Sequence, residues 1–485
     1  MSLRIDNRLT PKKLLPAIER LFELSGQKIL SIEKTWKPSL GTPVYTVKGK
    51  YTTRGWTEWT QGFQFGSAIL QFDATGDERF LEIGRRKTVE LMASHVSHIG
   101  VHDHGFNNVS TYGNLLRLMR EGGIPQDDRE QEFYELALKV SGAVQAARWT
   151  TIHDGKGYIY SFNGPHSLFI DTIRTLRVLA VAHKLGHKLM GEMDKPISLL
   201  GRLMEHAETT AKYGVYYGKG RDAYDIRGRA AHESVFNLND GNYRCPNSQQ
   251  GYTGFTTWTR GLAWAITGYA EQLEFFDTLS DDEINADCPP TGWTRRRKGA
   301  ATRGVRIATS GSTIEQLMLE AAQATADFYL EHTPACGVPM WDTGAPNLHR
   351  LPKNYLKQPA DPYNAWEPVD SSAAAIAAQG LIRLGNYLIS RGKAKEGKRY
   401  RQAGLTTART IFSEPYLSTD QKHQGLILHS VYHRPNGWDH IPKGQKVPCG
   451  ESSMWGDYHS RELALLIQRE ARKEKYLTFF GCLPT

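Results

Sequence analysis

Residues 371–390 read SSAAAIAAQGLIRLGNYLIS, and after Arg391 residues 392–412 read GKAKEGKRYRQAGLTTARTIF. The first string holds one charged residue, Arg383, and is dense in alanine, whereas the second holds seven charged residues. Both space their apolar residues with a helical period, and Gly392 sits where one helix gives way to the next. A helix that is small and apolar nearly all round is buried, and one that is polar along a face is partly solvated. The pair therefore predicts a hairpin of an inner helix and an outer one.

Working outward, apolar residues recur at helical spacing in about twelve segments, near 11–33, 59–74, 77–97, 105–121, 126–148, 168–185, 195–213, 256–276, 313–332, 371–390, 392–412 and 457–473. The same alternation returns: Asp77–Ser97 holds eight charged residues, like the outer string above. Even-numbered segments read as internal and odd-numbered ones as external. Gly76-Asp77 ends one segment and caps the next, and Gly122-Gly123-Ile124-Pro125 separates the fourth from the fifth. Extended alternation is scarce, with 42–53 the best candidate. Six hairpins predict an all-α fold, an (α/α)6 barrel forming a single domain over residues 1–485 with a loop insertion near 277–312. A superhelical array of helix pairs would carry a repeat of fixed period, and none is visible.

Composition narrows the function. A chain of 485 residues with 40% apolar and 23% charged residues is ordinary globular material. No stretch approaches the ~20 apolar residues of a membrane span, and the first residues lack the apolar core of a secretory signal. Cys245, Cys288, Cys336, Cys449 and Cys482 are scattered, with no Cys-x-x-Cys pair. A cytoplasmic location, in a reducing compartment and with no membrane partner, is expected. The net charge of +9 is spread along the chain, and its one dense run, Arg295-Arg296-Arg297-Lys298, lies in a Pro/Gly/Thr-rich loop, so no nucleic-acid partner is expected.

In the predicted barrel the inner helices run parallel and gather their N-termini at one mouth. Trp59-Thr60-Gln61-Gly62, His102-Asp103-His104-Gly105-Phe106, Asp171, Trp258-Thr259-Arg260-Gly261, Asp370-Ser371-Ser372 and Trp455-Gly456-Asp457-Tyr458 all fall there. Helix N-termini favour an anionic ligand, and a bowl of Trp, Asp, Arg and His suits a sugar that carries a carboxylate. Two carboxylates in one cleft split their proton affinities, so that one holds a proton and the other stays ionised, as an acid/base glycosidase needs. Asp103 and Asp171 are that pair. The competing reading is that Asp103, Asp370 and Asp457 cap helices; Asp171, preceded by Leu168-Phe169-Ile170, fits a cap less well. Of the tryptophans, Trp59 and Trp258 are expected at the sugar site. His102 and His104 on one helix would point to different faces, so no metal is expected, and no cofactor. No Gly-x-Ser-x-Gly elbow occurs, and the Gly392–Lys398 match to a phosphate loop is followed by Arg399 and follows no strand.

Taken in order, six stretches resemble the unsaturated glucuronyl hydrolases, glycoside hydrolase family 88. They are Trp59-Thr60-Gln61-Gly62-Phe63, Asp103-His104-Gly105-Phe106, Phe169-Ile170-Asp171, Gln250-Gly251-Tyr252 through Trp258 to Trp264, Asp370 to Ile376, and Trp455-Gly456-Asp457-Tyr458. The resemblance covers about Gly55 to Arg472. It implies an (α/α)6 barrel that removes a 4,5-unsaturated uronic acid from a small acidic oligosaccharide by hydrating the C4=C5 bond. It further implies Asp171 as the main acid/base, Asp103 as its partner, His232, Gln250 and Arg260 as residues that orient the substrate, and Trp59 as an aromatic at the sugar. Trp258 and Ser452 join the expected substrate contacts. The chain departs from the pattern at His104, where an apolar or small residue is expected, at Leu262, where a glutamine is usual, and in its length. Alternatives are an unsaturated rhamnogalacturonyl hydrolase, a sugar epimerase on a similar barrel, and a catalytically silent carbohydrate-binding barrel.

Overall fold

The structure, a computed structural model, describes residues 2–55, 58–286, 293–294, 306–307, 313–481 and 483. Trp56, Cys288, Cys482, the run 295–298 and most of the 277–312 insertion lie outside the described residues.

The chain is mostly helical, as its periodicity predicts. Helices at Pro11–Thr35, Gln61–Thr75, Glu78–Leu91, Asp128–Ala147, Leu199–Gly214, Thr259–Phe276, Ile314–His332, Ser371–Ser390, Ala394–Ile411 and Met454–Arg472 answer ten of the expected segments. The fourth is His104–Asn108, a π-helical turn at Val109–Gly113, and Asn114–Glu121; the sixth is Thr172–Thr175 and Arg177–Lys184. Local chemistry sets several starts: Asp370 accepts from the amides of Ser372 and Ala373, and Thr313 with Gln316 forms a capping box.

Packing follows the predicted alternation. Gln61–Thr75 packs on the His104–Glu121 segment, which packs on Thr172–Lys184, then Thr259–Phe276, Ser371–Ser390 and Met454–Arg472, which returns to Gln61–Thr75. Ser371–Ser390 is buried along nearly its whole length, while Ala394–Ile411 exposes its Lys and Arg face. One hydrophobic cluster runs from Leu3 to Leu483.

The strands are short. The extended stretch expected at 42–53 forms as a hairpin, Pro43–Val47 and Lys50–Thr53, antiparallel with Val47 opposite Lys50. Leu168 and Phe169, where the segment 168–185 is expected to begin a helix, lie instead in a strand, Ser167–Phe169, that pairs antiparallel with Glu233–Phe236, which pairs with Tyr243–Asn247. Three consecutive apolar residues do not distinguish a buried strand from a buried helix, and here the ladder wins. No helix among the described residues is long and apolar enough to cross a membrane.

Candidate active site

Asp103 and Asp171 stand at the N-terminal ends of the His104–Asn108 and Thr172–Thr175 helices, yet neither side chain makes a capping hydrogen bond. Both carboxylates instead line one pocket, together with Trp59, His102, Trp258 and Arg260. The capping alternative is therefore realised only at Asp370. Asp457 is not a cap either: Ser453 caps that helix, and the Asp457 carboxylate accepts the Leu426 and Ile427 amides at 2.9 Å and the Tyr51 hydroxyl at 2.8 Å.

Gly105 explains why the two aspartates lie so near. A Cβ there would run into the backbone of Thr175, so only glycine lets the helix after Asp103 abut the helix after Asp171. Beneath the contact, Arg177 Nε donates to the Gly105 carbonyl at 2.8 Å, and Glu462 accepts from Arg174 at 3.0 Å and from Arg177 at 3.4 Å. All three charged side chains are fully buried. Burial would raise the Glu462 carboxyl, but the two guanidinium charges outweigh it and hold the group well below the usual range. This ion network ties together the segments that carry the two carboxylates.

His102 joins them. Its Nε2 lies 3.2 Å from Asp171 Oδ1 and 4.0 Å from Asp103 Oδ1. Burial works against a charged imidazole, yet the Asp103 charge and the Asp171 hydrogen bond prevail and raise its proton affinity. At Asp103, burial raises the carboxyl, with the Asp171 charge adding to it and His102 and Arg148 opposing. At Asp171, burial pushes the same way, but the hydrogen bond and charge of His102, with His232 and Arg260, hold the carboxyl below its ordinary value. The two carboxyls are thus pushed in opposite directions, Asp103 upward and Asp171 downward. Replacing His102 with glutamine should remove the main force that lowers Asp171. Burial then dominates and Asp171 keeps its proton to higher pH; since a carboxyl that delivers a proton must enter the reaction protonated, the alkaline limb of the kcat/KM profile should move to higher pH. An unmoved limb would separate His102 from the titration of Asp171.

His232 is buried against Phe169 and Trp258, at 4.4 and 4.6 Å between ring centroids. Its Nδ1 accepts the amides of Gln249 at 3.0 Å and Gln250 at 3.2 Å. That acceptor role leaves the proton on Nε2, which has no hydrogen-bond partner, and burial lowers the ring to about 4, so it stays neutral. His232 is thus a fixed, neutral ring that holds Gln249 and Gln250 in the pocket wall without lining the pocket itself. Trp59, stacked on Trp455 at 5.0 Å, lines the pocket with Trp258, Gln250 and Arg260.

Arg260 is committed to the protein. It lies between the rings of Trp258 and Trp455, donates to the carbonyls of Val431 and Tyr432 and to Gln250 Oε1, and sits 3.6 Å from Asp370. Ser452 is not brought to the pocket. Its hydroxyl donates to the Ile427 carbonyl at 2.6 Å and its backbone pairs with Thr46, so it fastens the first strand to the loop ahead of the last helix. Likewise, of the six inner N-termini, those of the Ser371 and Met454 helices lie under the 425–453 loop, which bonds to Asp370 and Asp457. That loop supplies Tyr432, His433 and Trp438 to the pocket wall instead. His98, Val101, Phe162 and Gln249 line it too, none of them singled out in the sequence. His102 alone had a signal, its place beside Asp103; the others sit in loops without periodicity.

His104 turns away from His102, but not as a second position of one helix, since His102 precedes the helix that begins at His104. Its Nδ1 is 2.9 Å from Ser141 Oγ and its Nε2 is 2.9 Å from the His98 carbonyl, and burial lowers it to about 4. Among the described residues no group of three or more His, Cys, Asp or Glu side chains could hold a metal ion.

No family model matches the chain. Among curated proteins it is 24% identical over 409 residues to an unsaturated glucuronyl hydrolase of Formosa agariphila, covering 84% of this chain and 78% of that one. It is 25% identical over 431 residues to an unsaturated glucuronyl hydrolase of Bacillus sp. strain GL1, covering 87% and 89%. Among solved structures, the unsaturated glucuronyl hydrolase of Bacillus sp. GL1 superposes with a TM-score of 0.65 at 22% identity, over 92% of this chain and 96% of that one. One described as specific for heparin superposes with a TM-score of 0.67 at 20% identity, over 94% and 98%. In sequence over most of its length, and in fold, the chain is similar to unsaturated glucuronyl hydrolases.

Proposed function

We propose that the protein is a glycosidase that removes a 4,5-unsaturated uronic acid from the non-reducing end of small acidic oligosaccharides by hydrating the C4=C5 bond. The observation that carries this reading is the triad Asp103, His102 and Asp171, two carboxylates of opposite electrostatic character sharing one imidazole in a tryptophan-lined pocket. The names of the curated relatives point the same way. In this reading the ring of inner helices is the inner layer of an (α/α)6 barrel that forms one domain. The free thiols of Cys245, Cys336 and Cys449 favour a reducing, cytoplasmic setting.

The reaction asks for a proton at C4 of the enol ether and a water at C5. A carboxylic acid delivers the proton, positive charge develops at C5, and water adds there while its own proton passes to the carboxylate just formed. The resulting hemiketal opens and releases the rest of the sugar without attack at the anomeric carbon. Asp171 takes both proton steps. Before substrate enters, Asp103 and His102 hold the proton; a uronate carboxylate brought beside them raises the proton affinity of Asp171 by like-charge repulsion and prepares it as the acid. Gln250, its amide held by His232, orients the sugar, and Trp59 and Trp258 flank it.

The test is a panel of unsaturated disaccharides made by glycosaminoglycan, gellan, xanthan, ulvan and pectin lyases, followed by the ultraviolet absorbance of the conjugated enol ether. Loss of absorbance on at least one uronate substrate is expected; no loss on any would refute the proposal. Because hydration needs a proton donor and water but no Lewis acid, dialysis against EDTA should leave that rate unchanged. A large loss restored by zinc or manganese would contradict the mechanism.

A further inference from the structure

The loop 249–257 leaves the pocket at Gln249 and Gln250 and returns to it at Trp258, all three of which line it. Its outward part displays Tyr252 and Phe255, each 46% exposed. Phe255 stacks on Tyr224, itself 47% exposed, with ring centroids 4.5 Å apart and planes 26° from parallel. Three large aromatic faces in water are costly unless something covers them, and flat exposed rings are what a sugar ring packs upon.

The rings stand on ordered backbone. Asp225 accepts the amides of Gly218, Lys219 and Arg221 at 2.8–2.9 Å and fixes the turn that carries Tyr224. Buried Arg229 reaches across to the carbonyls of Gly254 and Thr256. Asp342 accepts the Tyr252 amide at 2.9 Å and the Thr256 hydroxyl at 3.1 Å. Gly254 lies so close to Pro246 and Asn247 that a side chain there would clash, which seats the loop on the last strand of the three-stranded sheet. A platform held this way meets its ligand without an ordering cost.

We propose that Tyr224, Tyr252 and Phe255 form an outer sugar-binding platform at the rim of the pocket, which takes a residue toward the reducing end of oligosaccharides longer than a disaccharide. This rests on the glycosidase reading above, and the occupant follows from continuity, since both ends of the loop that bears Tyr252 and Phe255 are pocket wall.

The experiment compares an unsaturated disaccharide with the unsaturated tetrasaccharide from the same lyase digest, for wild type, Phe255→Ala, Tyr224→Ala and Phe255→Trp. Phe255→Ala and Tyr224→Ala should lower kcat/KM on the tetrasaccharide about five- to tenfold, the loss of one stacking contact, and leave the disaccharide within about twofold. Phe255→Trp should restore the tetrasaccharide rate. Equal effects on both substrates, or none on either, would overturn the platform. Calorimetric titration with the saturated tetrasaccharide separates this from the catalytic reading because it needs no turnover. Weaker binding by the alanine variants is expected, and unchanged binding would overturn the platform even where no substrate is consumed.

Discussion

Asp171→Asn should fold as the wild type does and turn over its substrate about a thousandfold more slowly or worse. A single general acid or base typically contributes roughly 10²–10⁴, and here one carboxyl is used in both proton transfers, so the loss falls at the upper part of that range. The variant keeps the shape of the side chain and an oxygen that can accept from His102 Nε2, 3.2 Å away, so the buried imidazole is not stranded. The loss should therefore appear in kcat, with the melting temperature nearly unchanged. Asp103→Asn should also lower activity, since it removes the group on which burial favours the proton. Near wild-type turnover by Asp171→Asn would remove the mechanism.

Arg260→Ala should unfold the protein before it merely weakens substrate binding. The guanidinium is 1% exposed, stacks against two indoles, and ties Val431, Tyr432 and Gln250 together beside the buried Asp370. Removing one partner of a buried pair leaves the other charge uncompensated and typically costs about 3–5 kcal/mol. Asp370 Oδ2 makes no hydrogen bond, so nothing else stands ready to satisfy it. The expected result is a strongly lowered melting temperature, together with loss of the pocket wall formed by Tyr432 and His433. An unchanged melting temperature with a KM raised about a hundredfold would return Arg260 to direct substrate contact.

The contrast between these two residues shows what the sequence could carry. Period and charge alternation located the helices, because burial of a whole helix leaves a compositional trace, as at Ser371–Ser390. The strand at Ser167–Phe169 left none that a helix would not also leave, and its partner Glu233–Phe236 lies more than sixty residues away. Asp103 and Asp171 were legible as acids carried inward. Their coupling through His102 was not, since it depends on two helices meeting at Gly105 and Thr175. Arg260 read as a substrate contact because its type and position suit a carboxylate. Which partners claim a guanidinium is decided by the fold, and here the 431–432 loop and Asp370 claim it. Ser452 failed for the same reason, its hydroxyl being taken up by Ile427.

The most direct test of hydration is proton NMR of an unsaturated disaccharide during turnover in deuterium oxide. The account predicts that the vinylic H4 signal decays no later than the reducing-end sugar is released, that deuterium enters at C4, and that both events stop in Asp171→Asn. Release of the sugar ahead of the loss of H4 would mean cleavage at the anomeric carbon and would contradict it.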